Sequence, residues 1–100
     1  MIKHIVFWKL EERADGSGRA EDVDNLRTEV EALRELIPFV VEIELGENEN
    51  DSEAAWDLAL YSEFDSWEDL EAYQVHPAHE RVAEMVSGLQ VDRAVVDFEV

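Results

Sequence analysis

Three histidines are few for a chain of 100 residues, and two of them bracket a proline, in the order His76, Pro77, Ala78, His79. Tyr73 stands just before them, while His4 and Asp57 each fall near the start of a strand-like segment. Histidine titrates near neutrality, which suits it to general acid–base work, and a neighbouring carboxylate favours its charged form. In this reading His79 is a base, Tyr73 orients a carbonyl or phenol oxygen, and His4 assists. Asp57 holds or tunes one histidine, and Asp57, Trp8 and Tyr61 are candidate substrate contacts. The same residues also have plainer readings. His76 before Pro77 suits a helix cap, Tyr73 a core aromatic with a wet hydroxyl, and His4 a half-buried strand end.

Other chemistries find less support. His76 and His79 are one helical turn apart, but Pro77 lies between them and the spacing fixes no third metal ligand. With no cysteine there is neither a thiolate nucleophile nor a disulfide framework. No glycine loop of the phosphate-binding type and no spaced Ser-His-Asp arrangement occurs. The expectation is therefore no metal and no cofactor.

The elements that must position these groups follow from periodicity. Ile2 to Leu10 alternates as a strand, with Ile2, His4, Val6, Trp8 and Leu10 on one face and Ile5 and Phe7 on the other. Glu11 to Arg19 reads as a loop. From Ala20 to Ile37, Val23, Leu26, Val30 and Leu33 recur at helical steps, and Pro38 ends the helix. Phe39 to Leu45 predicts a second strand, with Phe39, Val41, Ile43 and Leu45 inward, followed by an acidic turn region from Gly46 to Glu53. Trp56 to Phe64 predicts a third strand, with Trp56, Leu58 and Leu60 on one face. Ser66 to Asp69 fits a capping box opening a second helix, which Pro77 interrupts and which runs on to about Gly88. Asp92 to Val100 closes the chain as a strand in which Ala94, Val96, Phe98 and Val100 alternate.

The order β-α-β-β-α-β predicts an α+β ferredoxin-like sandwich, both helices on one face of a four-stranded antiparallel sheet. Every strand carries apolar residues on both faces, so the uncovered face predicts a homodimer packed sheet against sheet. Trp8, Trp56 and Trp67 read first as core or interface anchors. We expect the first and third strands to run parallel at the centre of the sheet, bringing His4 and Asp57 side by side. A helix from Ser66 to His79 spans ~20 Å, close to the ~23 Å of strand between Asp57 and Phe64, so Tyr73 and His79 reach the same end.

The charge narrows the partners. Against 26 acidic residues there are 8 Lys and Arg, for a formal net charge of −18. Nucleic acids and anionic membranes need a basic patch that this chain lacks. No signal peptide and no apolar run long enough for a membrane span is evident, so a cytoplasmic protein is expected. The acids fall mostly on helix exteriors and loops, with Asp57 the one set apart as a site residue. Long-range repulsion from such a surface also disfavours highly acidic substrates.

Four segments carry a resemblance to a known family: IKHIVFWKL at the start, IPFVVEIELGEN from Ile37, LALYSEFDSWEDLEAYQVHPAHERV from Leu58, and the closing VVDFEV. Together they resemble the stress-responsive A/B barrel (Dabb) family, most specifically in Ala72 to His79. The resemblance implies a dimeric α+β barrel, two ferredoxin-like protomers facing each other through their sheets. Its best understood enzyme type, olivetolic acid cyclase, closes a linear tetra-β-ketide by aldol condensation. That type implies His79 as base, Tyr73 as its assistant and His4 as the first-strand histidine. It departs at the third strand, where Asp57 replaces a histidine. Three functional readings stay open: a cyclase-type enzyme or binder of a small polyketide-like molecule, a non-catalytic dimeric stress-response module, and a cofactor-free monooxygenase of the same fold. A room of a few hundred Å³ beside His79 would favour the first, and a solid core the second.

Overall fold

The structure is a computed structural model and describes residues 1–11 and 18–100. The chain runs β1 (Ile2–Leu10), α1 (Arg19–Leu36), β2 (Glu42–Glu47), β3 (Leu58–Phe64), α2 (Trp67–Gln74), α3 (Pro77–Ser87) and β4 (Gln90–Glu99). Most of the predicted Glu11 to Arg19 loop lies outside the described residues. Gly18 precedes α1 with φ at 79°, a left-handed conformation that costs glycine little.

One four-stranded sheet has the order β2-β3-β1-β4, and every pairing is antiparallel. This is the α+β ferredoxin-like sandwich. The expected parallel relation of the first and third strands is corrected: Ile2 pairs with Phe64 and Trp8 with Leu58, so the two strands run in opposite directions. Asp57 therefore lies at the Trp8–Leu10 end of β1, while His4 lies opposite Ser62 near the other end.

Alternation along β1 and β3 divides the sheet into two faces. Ile2, His4, Val6, Trp8, Leu10, Leu58, Leu60 and Phe64 are buried under the helices. From α1, Val23, Leu26, Val30 and Leu33 complete this core. The opposite face presents Ile5, Phe7, Ala59, Tyr61, Val96 and Phe98, with no element packed over it among the described residues; Phe98 and Val96 are exposed.

Three predicted details shift. After Pro38 the Val40 N–H donates to the Ile37 carbonyl, closing a turn. Val40 rather than Val41 is thereby buried, and β2 starts only at Glu42. Trp56 falls outside β3 and rests against Phe7 on the uncovered face, with ring centroids 6.4 Å apart and Lys9 Nζ 5.0 Å from its ring centre. Trp67 is exposed on α2 rather than anchoring the core.

The capping signals hold. Ser66 Oγ accepts from the Asp69 N–H at 3.1 Å and starts α2. Val75 and His76 separate α2 from α3, and His76 Nδ1 accepts from the Ala78 N–H at 3.0 Å with Pro77 at the first helical position. No helix is long and apolar enough to cross a membrane among the described residues.

Candidate functional site

Tyr73 occupies the last turn of α2, facing the sheet, and is fully buried at 0% exposure. Its ring is packed against Phe64 at a centroid distance of 4.9 Å, with His4 at 6.1 Å and His79 at 4.4 Å. The break at Val75–His76 lets α3 restart so that His79, in its first turn, returns to Tyr73. Of the four residues that spacing groups, His4, Tyr73 and His79 are thus brought together by β1, α2 and α3, and Asp57 is not.

His79 Nδ1 lies 3.0 Å from the Gln74 carbonyl oxygen. A carbonyl only accepts, so in neutral His79 the proton sits on Nδ1 and the lone pair on Nε2. Burial is the leading influence on this imidazole and pushes its pKa below the ordinary 6.5. The positive Arg93 and neighbouring His4 push the same way, against the Gln74 carbonyl and Glu80. His79 is accordingly held toward its neutral form. Burial also raises the Tyr73 phenol above its ordinary 10.0, so it remains a protonated donor.

His4 is 2% exposed, and its Nδ1 is held by the Asp97 carboxylate on the cross-strand neighbour in β4. Sequence reading missed Asp97. The apolar alternation of the closing strand drew attention to Val96 and Phe98, and only the β1–β4 register brings Asp97 opposite His4.

A cavity of about 170 Å³ lies between sheet and helices, lined by His4, Trp8, Tyr73, His79 and Arg93 among others. Two of the residues around it, Tyr73 and Trp8, carry buried donors, Oη and Nε1, with no hydrogen-bond partner among the described residues. Such orphans are rare in folded proteins because each forfeits its hydration. The volume is below the few hundred Å³ named as the mark of a ligand pocket, yet the region is no solid core. Roughly 300–1,000 Å³ is usual for drug-sized ligands, whereas a cavity of about 150 Å³ admits benzene. The room is ring-sized.

Two candidate contacts lie elsewhere. Asp57 Oδ2 accepts from the Leu10 N–H at 2.7 Å and its Oδ1 pairs with Arg19 at 2.8 Å. Burial pushes its carboxyl up, but these two partners outweigh it and leave the pKa below the ordinary 3.8. It fastens the end of β1 to the start of α1 and does not line the cavity. Tyr61 is on the uncovered face, where Lys3 bonds both its hydroxyl and Glu63. A larger open groove of about 410 Å³, lined by Phe7, Trp56 and Ala59, touches none of His4, Tyr73 or His79. Among the described residues, no group of three His, Asp or Glu is arranged to hold a metal ion.

The four-stranded antiparallel sheet under its helices defines a ferredoxin-like class of fold. The stress responsive A/B barrel domain profile matches residues 2–100, and the chain belongs to that family. It is similar to a protein from Bacteroides fragilis described as dimeric and ferredoxin-like, at 34% identity and a TM-score of 0.90, covering 99% of this chain and 95% of that one. A dimeric ferredoxin-like protein from Thermobifida fusca is 22% identical with a TM-score of 0.85, covering 99% and 90%. The hydroxynitrile lyase of Passiflora edulis shares the fold at 17% identity and a TM-score of 0.83, covering 99% and 92%. No curated protein matches the sequence.

Proposed function

We propose that this protein is an acid–base catalyst for a ring-sized small molecule, with His79 Nε2 removing a proton while Tyr73 donates to the oxygen that gains charge. The observation that carries this reading is the packing of the Tyr73 ring, whose hydroxyl has no hydrogen-bond partner among the described residues, against His79 at 4.4 Å beside one cavity. In this reading a ligand oxygen accepts from the Tyr73 hydroxyl, and developing negative charge strengthens that bond, which is how such a donor lowers a barrier. His4, fixed by Asp97, packs beside Tyr73 and assists. The roles agree with those implied by the family resemblance for His79, Tyr73 and His4. The cavity volume supports a compact substrate over an extended polyketide chain.

The protein acts in this reading as a homodimer. Exposed Val96 and Phe98, together with Ile5 and Phe7, make the uncovered sheet face apolar, and similar proteins are described as dimeric.

Acetophenone is a suitable probe, because its carbonyl oxygen and acidic methyl hydrogens match the two roles. The wild-type protein is expected to accelerate methyl hydrogen–deuterium exchange in heavy water, followed by NMR. Loss of the base in His79→Gln lowers the acceleration by about 10²–10⁴-fold, and Tyr73→Phe by about 10²–10³-fold. Exchange no faster than in buffer contradicts the reading.

A further inference from the structure

Arg93 is the charged residue at this cavity that the acid–base reading leaves unused. It stands on β4 directly opposite Trp8 in the β1–β4 register, and it lines the same cavity as Tyr73 and His79. Its charge reaches His79, whose proton affinity it lowers. Lys3, Arg19, Arg27 and Arg34 pair with Glu63, Asp57, Asp24 and Glu42, and neither Lys9, over the Trp56 ring, nor Arg81 lines this cavity. No carboxylate pairs with the Arg93 guanidinium among the described residues. Asp92 spends a side-chain oxygen on the Arg93 backbone N–H, and Asp97, on the same strand, is held by His4. Arg93 is exposed, and in a chain of net charge −18 it is the lysine or arginine that lines this cavity among the described residues.

We infer that Arg93 is a specificity-determining residue and that the cavity takes a small, ring-sized carboxylic acid. The inference rests on the cavity reading above and adds the ligand's charge. A guanidinium presents two parallel N–H donors that match a carboxylate. With the carboxylate at Arg93, the body of the ligand occupies the apolar room lined by Val6, Leu60 and Val82. The bulk acidity of the surface, which disfavours acidic substrates, is opposed locally by this one charge.

The test compares benzoate with benzamide, which has nearly the same shape and no charge. Binding is followed through the Trp8 indole N–H resonance, a reporter inside the cavity. Wild type is expected to prefer benzoate by about tenfold, the scale of one charge-assisted pair. Arg93→Gln removes that preference without changing benzamide affinity, and Arg93→Lys restores part of it. Equal binding of both probes, unaltered by Arg93→Gln, overturns the anion preference and leaves the cavity reading standing. If neither probe moves the Trp8 resonance, the cavity reading fails and the inference falls with it.

Discussion

Tyr73 and His79 belong to different helices, yet their rings lie 4.4 Å apart across the break at Val75 and His76. An uninterrupted helix would rotate His79 well past Tyr73, since six residues correspond to roughly one and two-thirds turns. Pro77 and the His76 cap stop one helix and start another, and the new direction returns the imidazole to the phenol. The motif is a device for aiming two side chains, and His76 supplies the cap rather than the chemistry.

The Tyr73 hydroxyl is buried without a hydrogen-bond partner among the described residues. Tyr73→Phe removes a buried hydroxyl that lacks a partner, so the variant is expected to match wild type or exceed it by about 1 kcal/mol in urea unfolding. A loss above that range would mean that the hydroxyl is satisfied and structural.

Asp97 fixes the His4 ring. Asp97→Ala is expected to cost about 1 kcal/mol, at the low end for an unsatisfied buried donor, because the carboxylate side is partly open to water. Nitrogen NMR of His4 is expected to show loss of the single Nδ1–H tautomer. An unchanged tautomer distribution would remove Asp97 from the account.

Asp57 is structural. Asp57→Ala is expected to lose about 1–2 kcal/mol at pH 7 without weakening the response of the Trp8 resonance to probes. The folded-state carboxyl is lowered below its ordinary 3.8, so its contribution is fully present above that value. It fades as pH falls through the folded value, and the gap between wild type and variant should narrow in acid. Weakened probe response with unchanged stability would return Asp57 to the site.

The uncovered face supplies a further outcome. Wild type is expected to sediment as a dimer at micromolar concentration, and Phe98→Asp as a folded monomer, because the new charge must otherwise be buried. A monomeric wild type contradicts the sheet-to-sheet assembly.

Local signals in the chain were readable wherever one element decided the outcome. Alternation in Ile2–Leu10 placed His4 with Val6 and Trp8, Ser66 announced a cap, and the residues around Pro77 announced a break. What depended on pairing between distant segments was not. A reversed direction for β3 put Asp57 beside His4, when it sits at the other end of β1. Asp97 was passed over because its importance arises from register with His4, 93 residues away. Trp56 was drawn inward by its apolar character, and only the end of β3 at Leu58 frees it to lie on Phe7.

The central claim is that neutral His79 is the base, and the pH–rate profile of acetophenone exchange tests it most directly. Burial, helped by Arg93, lowers the imidazole pKa, so the rate should hold as pH falls through 6.5 and decline only at lower pH. Arg93→Gln should move that decline upward in pH, and His79→Gln should abolish the pH-dependent rate altogether. An acid limb that survives unchanged in His79→Gln would show that another group takes the proton, and the account would be wrong.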